Sequence, residues 1–338
     1  MKYESAVQNI WRHSARSLPD NAALLKEMVR YATLAPSGHN TQCWRFRIES
    51  RAIAILPDLS RRTPVVDPDD HHLYVSLGCA AENLVLASRA YGFMCNSEFS
   101  TTSGEEIRIA LERSRADESP LFQAIPYRQC TRANFDGKAL ESEELRLLEA
   151  AGTGSGVNVV LLTERDAIEL VLEYVIQGNT MQVNNPAFVS ELESWIRFSD
   201  GEALRAGDGL TARVTGSPSV PRWLGKTLFR AFFRAKAEND KYAHQIRSSA
   251  GIAIFVSDVS DKIHWIEVGR CYERFALQAT ALGIRNSFVN QPVEETGLRP
   301  EFAKAFGFGD RRPDLVVRFG RGSEMPKSLR RPLDSVLV

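Results

Sequence analysis

The sequence has no excess charge of either sign, no paired cysteines and no long apolar run. Lys plus Arg and Asp plus Glu both number 42, a formal net charge of zero. No global field therefore draws the chain to nucleic acid or to an anionic membrane, and any anion site must be local. The five cysteines are odd in number and form no C-x-x-C pair, which argues against a disulfide framework and a thiolate zinc site and fits a reducing compartment. No apolar run approaches the roughly 20 residues that span a bilayer, and the opening MKYESAVQNIWRHS lacks the apolar core of a signal peptide. The expectation is a soluble cytoplasmic protein without membrane or nucleic-acid partners. No G-x-S-x-G, P-loop or G-x-G-x-x-G precedes a helix, so acyl transfer, nucleotide hydrolysis and Rossmann-type dinucleotide binding lack support.

What is present is ordinary globular usage, 43% apolar and 25% charged over 338 residues, enough for two domain-sized units. Residues 20–35 carry Leu24, Met28, Tyr31 and Leu34 at helical spacing behind Asp20, until Pro36 stops the pattern. Alternation over 43–56 predicts a strand or hairpin. Helices are expected at 73–92, 141–151 and 264–283, and buried strands at 157–162, 252–257 and 314–320.

The two long helices resemble each other. Gly78, Glu82, Leu86, Ala90 and Gly92 fall in register with Gly269, Glu273, Leu277, Ala281 and Gly283 at a constant offset of 191. RHSAR at 12–16 precedes RQCTR at 128–132 by 116, and SGHN at 37–40 precedes SGVN at 155–158 by 118. Matches in one order predict two α+β repeats, 1–120 and 121–338. The jump in offset places an insertion at about 178–250 in the second.

Arg128, Cys130 and Arg132 alternate, so in an extended segment both guanidiniums and the thiol would share a face, an arrangement suited to phosphate; a solvated arginine pair is the plainer reading. The loop APSGHNTQCW at 35–44 sets Asn40 and Gln42 in one helix-to-strand turn, able to face a flat heteroaromatic edge or simply to bridge helix and strand. DPDDHH at 67–72 has ligand-type residues, but its position ahead of a helix favours Asp69 or Asp70 as an N-terminal cap, with no metal expected. The basic, aromatic-rich helix at 222–236 could lie on a membrane surface, and reads better as a cover that excludes water from a pocket.

A-P-S-G-H-N-T-Q-x-W-R-F at 35–46, R-x-C-x-R-x-x-F at 128–135, the Gly269–Ile284 helix, N-Q-P-V-E at 290–294 and the closing V-V-R-F-G-R-G…P-K-S-L-R-R-P-L together resemble the nitroreductase superfamily, and within it the tandem Acg-like FMN-binding proteins. The resemblance implies an α+β, nitroreductase-like fold duplicated in one chain as an intramolecular pseudo-dimer, with FMN between the halves. Pro36, Ser37, Gly38, Asn40 and Gln42 would face the flavin ring. Arg128, Cys130 and Arg132 would hold the phosphate with Arg330 or Arg331 of the C-terminal arm 321–338, Lys327 and Arg321 being further basic candidates. Asn290, Gln291 and Pro292 would line the reactive edge. Cys130 stands where Ser or Thr is usual, and Cys43 where Pro is usual. The mirror site, Arg12, Ser14 and Arg16 against 152–158, lacks the Pro, Gln and Trp, so one FMN per chain is expected. No side chain is assigned a catalytic role. The implied function is transfer of electrons from NAD(P)H through FMN to a nitro, quinone or similar acceptor. The alternative is a lidded flavin-binding or flavin-sequestering protein with little turnover. Either a monomer or a homodimer is compatible.

Overall fold

The computed structural model describes residues 2–14, 20–101 and 104–338. After α1 (Tyr3–Ile10), the first repeat begins at α2 (Asn21–Thr33), whose Asp20 cap accepts the Ala23 amide at 2.8 Å. A hairpin of β1 (Trp44–Ile48) and β2 (Ala52–Pro57) follows, then α3 (His71–Ala90), β3 (Phe93–Ser100) and β4 (Glu106–Arg113). These strands form an antiparallel sheet in the order β1-β2-β4-β3. A short α4 (Pro120–Ala124) leads to the second repeat: α5 (Ser142–Gly152) and β5 (Val157–Leu162).

The insertion follows β5 as α6 (Arg165–Asn184), α7 (Pro186–Trp195), β6 (Ile196–Arg197), α8 (Asp200–Ala206), β7 (Leu210–Thr211), α9 (Ala212–Thr215), α10 (Arg222–Phe232) and α11 (Ala235–Arg247). The repeat resumes with β8 (Gly251–Ser257), α12 (Lys262–Ala281) and β9 (Arg285–Phe288), then α13 (Gln291–Glu294), α14 (Arg299–Ala305) and β10 (Pro313–Gly320). The second sheet runs β5-β8-β10-β9, again antiparallel and matching the first strand for strand.

The insertion thus starts earlier than the sequence spacing placed it, directly after β5 rather than at 178. The cause is that α6 does not read as foreign: Ile168, Val171, Leu172 and Val175 pack with Ile252, Ile254 and Val256 in a second core cluster. Its apolar spacing is that of any core-facing helix.

The main core is continuous across both repeats, with α3 and α12 buried at its centre. The chain then crosses back. The Val338 amide donates to the Phe46 carbonyl at 3.0 Å and the Phe46 amide to the Val336 carbonyl at 2.7 Å, so the C-terminal arm closes the β1 edge of the first sheet.

At the α3 N-terminus the capping residue differs from expectation. Asp70 adopts a left-handed φ of 59° and makes no cap bond, while the Asp67 carboxylate accepts the His72 amide at 3.0 Å and the Leu73 amide at 2.9 Å. Asp69 pairs with Arg312 and Asp70 with Arg62, so neither is free to turn inward.

Candidate functional site

The loop after α2 is built under backbone strain. His39, Asn40 and Gln42 all take left-handed φ (49°, 55° and 52°), a conformation non-glycine residues hold only where surroundings enforce it. Ser37 Oγ accepts the Gln42 amide at 2.9 Å. Pro36 is buried, whereas Gly38 is exposed with open space beside it. Asn40 Nδ2 donates to the Gly209 carbonyl at 3.1 Å and the Leu329 carbonyl at 3.3 Å. Gln42 donates to the Gly207 carbonyl at 2.8 Å and accepts the Arg331 amide at 2.8 Å. Both carboxamides therefore latch the insertion and the C-terminal arm onto the first repeat.

The C-terminal end of α2 leaves carbonyls without helical partners, and two arginines of the second repeat take them. Arg330 donates to the carbonyls of Thr33 (2.6 Å), Leu34 (3.0 Å) and Ala35 (2.9 Å), and to Asn40 Oδ1 (3.0 Å). Arg128 Nη2 shares the Leu34 carbonyl at 2.7 Å. Lys327 lies nearby, and all three cations face the Trp11 ring, with Arg128, Lys327 and Arg330 at 5.9, 4.8 and 4.7 Å from its centroid. Sequence reasoning missed Trp11, because a lone aromatic before RHSAR carries no spacing signal.

Counter-charge in this cluster is scarce. Glu273 lies 3.2 Å from Arg128 Nε, a charge contact without hydrogen-bond geometry, since both atoms remain unsatisfied as hydrogen-bonding groups. Burial pushes the Glu273 carboxyl up to about 7 against the opposing pull of Arg128. Lys327 is pushed down to about 8, first by burial and then by Arg128. Burial and Arg128 likewise lower Arg330, whose guanidinium stays charged at any ordinary pH. Cys130 adds only weak contacts, at 4.0 Å from Arg128 Nη1 and 3.9 Å from the Tyr272 hydroxyl.

Arg132 faces elsewhere. Arg318, fully buried, donates to the Thr131 (2.9 Å) and Ala133 (2.7 Å) carbonyls, and Gln245 donates to the Arg132 carbonyl at 2.7 Å. With its backbone held on both sides, the half-buried Arg132 guanidinium has no hydrogen-bond or ion-pair partner among the described residues. Its electrostatic neighbours include His39 and Tyr242. Burial, then Arg132, pushes His39 down to about 4, so it is neutral near pH 7. The sequence expectation that Arg128 and Arg132 point at one anion is corrected: the segment is not a regular strand, and the two guanidiniums have separate surroundings.

Beyond Tyr242 stands Gln291, whose Oε1 is buried without a hydrogen-bond partner among the described residues, as is His39 Nε2. Asn290 is turned away, its Oδ1 accepting the Val316 amide at 2.9 Å, and Pro292 sits in the first turn of α13. Two other arm cations are elsewhere: Arg331 lies 3.7 Å from Asp58, and Arg321 is paired with Glu144 at 2.6 Å.

The pseudo-symmetric counterpart is crowded at Gly154. A Cβ on Gly154 would stand 2.5 Å from Cys271 Sγ and 3.1 Å from Arg274 Nη2. Ser14 is bonded to Glu27 and Arg12 to the Asn9 carbonyl, while Arg16 lies outside the described residues.

Two antiparallel sheets of matching order, two central helices related by one offset and an arm that returns to the opposite half define a duplicated α+β fold. No family model matches the chain. It is similar nearly end to end to two Mycobacterium tuberculosis proteins. "Putative NAD(P)H nitroreductase Rv3131" is 24% identical over 332 residues, covering 94% of this chain and 92% of the relative. "Putative NAD(P)H nitroreductase acg" is 22% identical over 328 residues, covering 93% and 95%. Among solved structures, the FMN-dependent nitroreductase NfnB of Mycobacterium smegmatis in complex with NADPH gives a TM-score of 0.43 at 14% identity, covering 64% of this chain and 96% of that one. A Bacteroides fragilis nitroreductase with bound FMN gives 0.38 at 14%, covering 64% and 94%.

Proposed function

We propose that this protein is an FMN-dependent oxidoreductase that takes electrons from NAD(P)H and passes them to a nitro, quinone or similar small acceptor. The observation that carries the reading is the division of the site between the repeats. A cluster of three cations with one weakened carboxylate stands at one end, and at the other an arginine and polar atoms that have no partner among the described residues.

The residues fit FMN at both ends. Arg128, Lys327 and Arg330 crowd together against their own repulsion, which a phosphate would relieve. Arg132, Gln291 Oε1 and His39 Nε2 offer donors and an acceptor of the kind a heteroaromatic polar edge requires, and among the described residues they have no other hydrogen-bond partners. The 36–42 loop supplies one wall from the first repeat. Bound FMN supplies the hydride and electron chemistry, so no protein nucleophile is needed. The chain's contribution is positioning: Arg318 and Gln245 aim Arg132, the strained loop fixes His39, and α11 of the insertion places Tyr242 over the site and keeps water from it.

The test is the absorption spectrum of the purified full-length protein before and after anaerobic NADPH or NADH. Yellow protein that bleaches on addition supports the reading. Yellow protein that no nicotinamide reduces favours flavin sequestration, and colourless protein that fails to take up FMN excludes both.

A further inference from the structure

The sequence places DPDDHH at a helix start and stops there, but the folded cluster has a feature that a helix cap does not explain. Asp67, His71 and His72 each offer a ligand atom, and these atoms all lie within 4.8 Å of one another. His71 is buried, with its Nε2 held by Asp314 Oδ1 at 2.8 Å, while its Nδ1 is fully enclosed with no hydrogen-bond partner among the described residues. An imidazole gripped by a carboxylate on one nitrogen and bare on the other is the arrangement that orients a metal-binding histidine. His72 follows suit more loosely: its Nε2 lies 3.4 Å from the Asp314 carbonyl and its Nδ1 3.9 Å from Asp67 Oδ1.

We propose that Asp67, His71 and His72 form a binding site for a divalent transition metal of the Zn2+ class, oriented from behind by Asp314. Two imidazole nitrogens and one carboxylate suit such an ion, and leave one tetrahedral position for water or a further carboxylate. The two cap bonds do not exhaust Asp67, since each carboxylate oxygen accepts more than one bond. Glu294 of α13 interacts electrostatically with both His72 and Asp67 and is a further carboxylate close to the cluster.

Positive charge from Arg312, Arg299 and the α3 N-terminus opposes a cation here. Arg312 is already paired with Asp69 at 2.6 Å; burial pushes the Asp67, Asp314 and Glu294 carboxyls up, and a bound cation would favour their charged forms as counter-charge. A small cavity lined by Asp67 and His72 is shared with Gly38, Thr41 and Arg61 of the loop region beside the candidate flavin site. The ligands come from the first repeat and the orienting carboxylate from β10 of the second, so an ion would tie the halves together independently of any flavin.

The experiment strips full-length protein with a chelator, then titrates Zn2+ by calorimetry, with metal content per chain by mass spectrometry and thermal unfolding as second readouts. One Zn2+ per chain is expected, with a melting temperature that rises with free Zn2+. His72→Gln and Asp67→Asn, which keep side-chain volume, are expected to weaken binding at least tenfold while the far-ultraviolet dichroism of the metal-free protein is unchanged. No binding by the wild type, or binding unaffected by both variants, overturns the proposal. If one variant fails to fold, the other decides.

Discussion

Gly78 of α3 and Gly269 of α12 lie against each other's helices in mirrored fashion. A Cβ at Gly78 would stand 2.0 Å from the Ile266 carbonyl oxygen, and one at Gly269 would stand 1.9 Å from that of Val75. Both residue pairs differ by 191, so a local two-fold relates the repeats at their point of closest approach. Neither contact leaves room for a side chain, because the obstacle is helix backbone.

Gly78→Ala or Gly269→Ala is therefore expected to force the central helices apart and to destabilise by about 3 kcal/mol or more, as overpacking against backbone does. Thermal unfolding measures it. Gly38→Ala, with nothing within 4 Å of the added carbon, is the control and should change stability by less than about 0.5 kcal/mol. Equal effects at the three positions would refute the close-approach account.

Arg128→Ala and Arg132→Ala should fail differently. Removing Arg128 strands Glu273 of α12 in the core, and breaking such a buried pair costs about 3–5 kcal/mol. Removing Arg132 leaves the apoprotein's melting temperature within about 2 °C, because the lost cation had no partner among the described residues, yet lowers FMN affinity by roughly tenfold or more. Calorimetry against FMN and thermal unfolding of the apoprotein separate the two.

Lys327 gives stability and cofactor affinity opposite pH dependences. Its folded value of about 8 lies below the ordinary 10.5, so between these pH values the unfolded chain binds more protons, and apoprotein stability gains from this group as pH rises. Its charge, which attracts phosphate, is lost over the same rise. FMN affinity is expected to fall above about pH 8, and Lys327→Gln to flatten that fall. A wild-type affinity that stays level from pH 7 to 9.5 would contradict the cluster's assignment.

Gln42 joins three segments through its carboxamide. Gln42→Ala should cost about 1–3 kcal/mol through the stranded Gly207 carbonyl and Arg331 amide. Limited proteolysis should then cut the insertion near 207–221 faster than in wild type, while cleavage elsewhere is unchanged.

Much of the duplication was legible in the sequence because the α3 and α12 positions that match are those the helix contact constrains: glycines at the crossing and Glu82 and Glu273 beside it. The insertion boundary was not, since α6 carries the apolar spacing of a repeat element. At the site, the loop and the R-x-C-x-R segment could be read from residue type and order. Which way each arginine faces could not, for that is decided by Arg318 and Gln245, more than a hundred residues away, and by the carbonyls at the end of α2. Asn40 and Gln42 had the chemistry expected of them, but the structure applies it to the Gly207–Gly209 backbone, a partner that no local pattern announces. Asp67 displaced Asp70 as the α3 cap because a left-handed turn reversed the chain between them.

Residues 330–338 close the β1 edge and satisfy the end of α2, both in the first repeat. Synthesis delivers them only after the whole second repeat. The first repeat therefore leaves the ribosome with an open sheet edge and an uncapped helix end, exposed to strand pairing with other chains. Its final maturation is a late event set by the arm, so a chain halted before residue 330 should aggregate through its earliest-made strands.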